Sequence, residues 1–78
     1  MDKIGLTAKQ KQVFEFLRMY HKTYGVFPST REIAQGKIDG QVILNKRVES
    51  NVHNLLKSLQ KRGWIEVMPY TPRGIRII

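Results

Sequence analysis

Cysteine is absent from the 78-residue sequence, which excludes disulfide staples and thiolate metal sites and leaves packing as the source of stability. Acidic side chains are scarce, with 6 Asp and Glu against 14 Lys and Arg, a formal charge of +8 and an isoelectric point near 10.2. No apolar run is long enough for a signal peptide or a membrane span, so the chain is expected to be soluble and cytoplasmic and not to cross a membrane. Gly-rich phosphate loops, nucleophile elbows and metal-ligand spacings are missing. Glu15, Glu32, Glu49 and Glu66 are dispersed, and His21 and His53 are the only histidines. These absences predict no catalytic residues, no metal, no cofactor and no small-molecule substrate. At this length one domain, residues 1–78, is expected, without room for a deep catalytic cleft.

What the chain does have is positive charge, which suits a polyanionic partner. Charge alone fits DNA, RNA or an anionic membrane surface equally. It is uneven, with seven basic and two acidic groups over residues 40–78 against seven and four before them, so the second half is the expected contact face.

Local signals divide the chain into short elements. Leu6-Thr7-Ala8-Lys9-Gln10 has the form of a capping box, in which Thr7 accepts from a first-turn N–H and Gln10 reaches back. Val13, Phe14, Leu17, Tyr20 and Tyr24 then recur at spacings of three and four, predicting one buried face of a first helix that stops at Gly25. Pro28 keeps Val26-Phe27 extended. Ser29-Thr30-Arg31-Glu32 repeats the box and starts a brief second helix through Ile33 and Ala34 to Gly36. Residues 37–47 contain an Asp39-Gly40 turn signal and a Val42-Ile43-Leu44 run; a short strand and an extension of the next helix both fit. The third helix begins between Lys46 and Asn51, with Asn45 and Ser50 as rival caps and Val48 joining the buried stripe if the start is early. It buries Val52, Leu55, Leu56 and Leu59 and stops at Gly63. Trp64-Ile65-Glu66-Val67 and Gly74-Ile75-Arg76-Ile77-Ile78 alternate as a half-buried hairpin requires. The remaining aromatics are expected in or beside the core. The fold class is therefore α+β: a small winged helix-turn-helix, three helices with a C-terminal two-stranded β-wing.

These segments together resemble the N-terminal DNA-binding domain of the LexA-type SOS repressors. The resemblance rests on Leu6-Thr7-Ala8-Lys9-Gln10 with Val13-Phe14, Pro28-Ser29-Thr30-Arg31-Glu32-Ile33-Ala34, Val52-His53 with Leu56 and Leu59, Gly63 with Ile65, and Pro72-Arg73-Gly74-Ile75, and it covers about Leu6 to Ile78. It implies a third helix that enters the major groove of operator DNA and a wing that touches adjacent backbone. About seven residues between Gln35 and Ser50 are additional to the family's tight turn, which predicts a remodelled connection beside the recognition helix. LexA repressors continue into a self-cleaving serine and lysine domain that also dimerises, whereas these residues end at Ile78. A stand-alone regulator of the kind that phages and small mobile elements carry, without self-cleavage, and a segment of a longer repressor are both open.

By position in the family pattern, Ser50, Asn51, His53 and Asn54 are the candidate base-reading residues. Asn54 leads, because a carboxamide offers adenine one donor and one acceptor; Ser50 and Asn51 equally suit helix capping. The candidate backbone contacts are Thr30, Arg31, Lys46, Arg47, Lys57, Arg73 and Arg76, with Lys61 beside them, and these set affinity and register rather than sequence preference. Arg73, at the wing tip, is the foremost of them, and Tyr70 in the same loop suits a sugar or phosphate. For Lys61 and Arg62, compensation of a helix dipole is the competing role.

The implied function is a sequence-specific, double-stranded DNA-binding transcriptional regulator, a LexA-like repressor at a promoter operator, with a homodimer on DNA as the expected working form. It would act in the bacterial cytoplasm or nucleoid, or in the host cytoplasm if phage-encoded. Two rivals remain. One is a protein-interaction module that docks a protein partner in transcription, a host repressor or polymerase, through an exposed Gln41-Val42-Ile43-Leu44 run. The other is RNA binding through the same basic face.

Overall fold

A computed structural model describes residues 5–46, 48–68 and 73–78. The order of elements is α1 (Ala8–Tyr24), α2 (Thr30–Gln35), β1 (Lys37–Ile38), β2 (Gln41–Val42), α3 (Glu49–Lys61), β3 (Ile65–Val67) and β4 (Ile75–Ile77). The fold is a winged helix-turn-helix in which three helices pack together, a C-terminal ribbon of β3 and β4 lies against α3, and a second small hairpin separates α2 from α3.

Both predicted capping boxes form. The Thr7 N–H donates to Gln10 Oε1 at 3.0 Å and the Gln10 N–H donates to Thr7 Oγ1 at 3.3 Å. At α2 the Ser29 N–H donates to Glu32 Oε1 at 2.8 Å and the Glu32 N–H to Ser29 Oγ at 3.3 Å. Each box satisfies donors that a helix start otherwise leaves open. Gly25 and Gly36 then end the two helices in left-handed conformation.

The core is built from Val13, Phe14, Phe16, Leu17 and Tyr20 of α1, Ile33 and Ala34 of α2, Val52, Leu56 and Leu59 of α3, Ile65 and Ile75 of the ribbon, and Ile38 and Leu44 of the segment between α2 and α3. The ribbon is antiparallel, with Ile65 opposite Ile77, Glu66 opposite Arg76 and Val67 opposite Ile75. Phe14 meets Trp64 edge to face, with ring centroids 5.1 Å apart, and ties α1 to the turn that opens the ribbon.

The segment left open between strand and helix is a strand pair. Ile38 faces Gln41 across Asp39-Gly40, both at positive φ (52° and 76°), the two-residue turn whose twist suits a hairpin. The Asp39 N–H donates to Tyr24 Oη at 2.7 Å, anchoring the turn to the end of α1. The chain then returns beside α2: the Ile43 and Leu44 N–H groups both donate to the Gly36 carbonyl, at 2.9 and 3.0 Å, and Leu44 is buried. A Cβ on Gly36 would collide with the Leu44 carbonyl oxygen, so this glycine serves a close approach as well as φ +69°.

Four sequence expectations change. α3 starts at Glu49 with Val48 as its N-cap and no side-chain cap bond, so neither Asn45 nor Ser50 caps it. Val48 is 68% exposed and does not join the buried stripe, because it lies ahead of the first turn in extended conformation. Tyr24 is exposed, since α1 has run past the core by its last turn, and its hydroxyl holds Asp39 instead. Leu55 is only half-buried, at the edge of the α3 stripe.

A clasp of side chains joins α1, α2 and the root of β4. Arg73 Nη1 donates to Glu32 Oε1 at 2.7 Å and Nη2 to Glu32 Oε2 at 3.1 Å, a two-pronged ion pair. Arg73 Nη1 also donates to the Phe27 carbonyl at 3.0 Å, and the Tyr20 hydroxyl donates to Glu32 Oε2 at 2.7 Å. Burial pushes the Glu32 carboxyl up, but the bonds from Arg73, Ser29 and Tyr20 outweigh it and hold it at about 2. For Tyr20 burial acts first, and the bond to Glu32 adds to it; both raise the phenol.

Two stability predictions follow from these contacts. Gly36→Ala should cost more than about 2 kcal/mol, since it adds a backbone collision to left-handed strain, whereas Gly25→Ala, with φ +76° and open space around it, should cost about 1–2 kcal/mol. Denaturant midpoints at unchanged slope would check both. Glu32 has a depressed folded-state pKa, so its stabilisation is complete above about pH 4.5 and disappears as pH falls through about 2. Thermal melts should show Glu32→Gln less stable than the parent at pH 7, with a smaller loss across that acid window.

Candidate nucleic-acid interface

Helical periodicity decides what α3 shows to solvent. Val52, Leu56 and Leu59 point into the core. Ser50, Asn54, Lys57 and Lys61, at spacings of four, three and four, form the opposite stripe, with Asn51 and His53 on its flanks. All of these except Ser50 would be outward for any helix start between Lys46 and Asn51, and all six are exposed. The inserted hairpin does not cover them, because it is anchored on Tyr24 of α1 and on Gly36.

Beside that stripe lies a cleft of about 210 Å³, bounded by Thr30, His53, Leu56, Lys57, Gln60, Val67, Met68, Gly74 and Ile75. It brings the start of α2, the outer face of α3 and the ribbon to one side of the molecule. Candidates far apart in sequence thus meet there: Thr30, His53 and Lys57 share one rim. Gln60 and Met68, which sequence reasoning left unmarked, complete it. A glutamine in mid-helix and a methionine at a strand end carry no spacing signal, and only the packing of ribbon on helix identifies them.

The other backbone candidates are distributed as follows. Arg31 is exposed at the start of α2 and approaches Glu49 Oε1 at 4.0 Å; with side chains 80% and 55% exposed, the pair contributes little stability. Lys46 is exposed ahead of α3. Arg76 Nε and Nη2 donate to Glu66 Oε2, at 3.3 and 2.9 Å, across the ribbon. Arg73 is held by Glu32 and the Phe27 carbonyl, and its guanidinium is made still harder to deprotonate by Glu32. Arg62, taken as a dipole partner, donates from Nη1 to the Gly5 carbonyl at 2.6 Å and ties the end of α3 to the chain ahead of α1. Arg47 and Tyr70 lie outside the described residues.

Among the described residues, no group of three or more His, Asp or Glu side chains is placed to hold a metal ion. None of the described helices is long and apolar enough to cross a membrane. A 13-residue helix is about 20 Å long and, with side chains, 10–12 Å across, and the major groove of B-DNA is about 12 Å wide. An exposed polar and basic helix of this size, with a ribbon beside it, has the dimensions and charge for that groove.

Comparison with known proteins agrees. Residues 3–74 match the family described as the LexA DNA binding domain. The LexA repressor of Haemophilus ducreyi is 33% identical over 78 residues, covering 100% of this chain and 34% of that protein. The LexA repressor of Edwardsiella ictaluri is 36% identical over 74 residues (95% of this chain, 33% of that protein), and that of Mannheimia succiniciproducens 34% identical over 74 (95% and 32%). The chain spans about one third of the length of the curated relatives it matches. With the family model matched across nearly all of its residues and the fold and exposed helix that go with it, the chain belongs to the LexA DNA-binding domain family.

Proposed function

We propose that this chain is a sequence-specific, double-stranded DNA-binding transcriptional regulator, a LexA-like repressor acting at a promoter operator from the bacterial cytoplasm or, if phage-encoded, that of the host. The observation that carries the reading is the outward stripe of α3, polar at Ser50 and Asn54 and basic at Lys57 and Lys61, backed by an apolar stripe that fixes its rotation. Ser50, Asn51, His53 and Asn54 are the base readers, and Asn54 stands at the centre of the face. Thr30, Arg31, Lys46, Arg47, Lys57 and Arg76 serve the flanking phosphates.

One domain of this size makes an interface of the smaller class, so affinity and selectivity call for two copies on one site. The molecule measures 36 × 26 × 24 Å. Two such bodies fit side by side on half-sites one helical turn, about 34–36 Å, apart. A palindromic or direct-repeat operator is the corresponding site.

The test is selection of preferred sites from random duplex DNA, with structured RNA as competitor. Enrichment of a duplex motif supports the reading; RNA displacing every duplex would replace it. On the selected site, Asn54→Ala should flatten the preference among bases at one position by about 1–3 kcal/mol. Lys57→Ala should weaken all duplexes alike and reduce the slope of log K against log salt by about 0.9, as titrations from low to moderate salt would show.

A second reading has one observation in its favour. Val42 is 66% exposed and Ile43 39%, beside a groove of about 410 Å³ that Ile43 lines with Phe16 and Met19. Leu44, the fourth member of the predicted docking run, is buried. Docking of a transcription protein on this side is compatible with DNA on α3, and loss of such a partner on Val42→Ser with DNA affinity intact would establish it.

A further inference from the structure

Arg73 has the composition of a phosphate contact and the geometry of something else. Its guanidinium makes three hydrogen bonds within the protein, two to the Glu32 carboxylate and one to the Phe27 carbonyl. Fork-to-fork pairing with a carboxylate sets orientation as well as distance. Glu32 is itself held, since its oxygens also accept from the Ser29 N–H at 2.8 Å and the Tyr20 hydroxyl at 2.7 Å. The root of β4 is thereby fixed to the start of α2, the segment that places Thr30 on the same cleft rim as His53, Lys57 and the ribbon residues Met68 and Gly74. The carboxylate at 2.7 Å sets an opposite charge beside the guanidinium, whose side chain is 45% exposed.

We propose that Arg73 is a positioning residue for DNA binding: through Glu32 it sets the place of the wing against the recognition helix, and it makes no phosphate contact of its own. This rests on the DNA-binding reading above. The two roles differ in sign at Glu32. If Arg73 meets phosphate, removing the neighbouring carboxylate exposes more positive charge to DNA and binding tightens. If Arg73 acts through Glu32, the same change releases the wing and binding weakens.

The test is a double-mutant cycle on the selected duplex, with affinity measured as a function of salt for Glu32→Gln, Arg73→Gln, the double variant and Arg73→Lys. Gln at position 32 keeps an oxygen for the Ser29 N–H, so the start of α2 is retained, and a thermal melt of each variant confirms folding at the assay temperature. Glu32→Gln and Arg73→Gln are each expected to lose roughly three- to tenfold in affinity, and the double variant no more than either. The salt slope should stay at the parent value. Arg73→Lys, which keeps the charge but not the fork, should bind as weakly as Arg73→Gln. The proposal is overturned if Glu32→Gln binds as well as the parent or better, if Arg73→Gln lowers the salt slope by about 0.9, or if Arg73→Lys binds like the parent. Should Arg73→Gln fail to fold, Glu32→Gln and Arg73→Lys still decide. A parent protein that enriches no duplex overturns the DNA-binding reading and this proposal with it, whereas a parent that binds with phosphate-like variants overturns the proposal alone.

Discussion

The carboxylate of Glu32 is the junction on which the arrangement of this small fold depends. Its two oxygens accept from the Ser29 backbone, from the Tyr20 hydroxyl and from both terminal nitrogens of Arg73. One side chain thus starts α2, ties it to α1 and fixes the ribbon. In a chain without cysteine, such a junction provides part of what a cross-link would: three segments distant in sequence are held in one mutual orientation. Its strength comes from saturation. A half-exposed ion pair alone contributes little, but this carboxylate has each oxygen bonded twice, and the burial that would raise its pKa is more than offset.

That junction matters because the candidate interface is composite. α3 alone offers Ser50, Asn54, Lys57 and Lys61. The cleft beside it needs the start of α2 for Thr30 and the ribbon for Val67, Met68 and Gly74. In the proposed reading base preference belongs to the helix, where packing on Val52, Leu56 and Leu59 sets which side chains face outward. How the other two elements sit against the helix is decided by contacts remote from it, at Glu32 and Arg73.

Much of this was legible in sequence wherever the signal was local. Thr7 with Gln10, Ser29 with Glu32, and the glycines at 25, 36 and 63 mark helix limits through caps and turns that need no tertiary context. The alternation of Ile65, Val67, Ile75 and Ile77 marks the ribbon in the same way. The misreadings occurred where contact between distant segments decided the outcome. Leu44 is buried and Val48 exposed, and nothing in their spacing says that Leu44 is drawn beside Gly36. Asn45 and Ser50 are sound capping residues by type, yet α3 starts at Glu49 with neither. Arg73 and Glu32 are 41 positions apart, so nothing in their spacing marks them as partners, and only the fold brings the ion pair to light.

The hairpin segment between α2 and α3 does not decide which face α3 turns outward. Which side chains a helix turns outward depends on its rotation about its own axis, and for α3 that rotation is set by Val52, Leu56 and Leu59 against the core, all of them downstream of the insertion. The β1–β2 hairpin lies ahead of that packing. It is secured elsewhere, at Tyr24 through Asp39 and at Gly36 through Ile43 and Leu44, so it exerts no direct hold on that axis. The connection contributes one buried side chain, Leu44, and a close return past Gly36, while Val42 and Ile43 stay exposed.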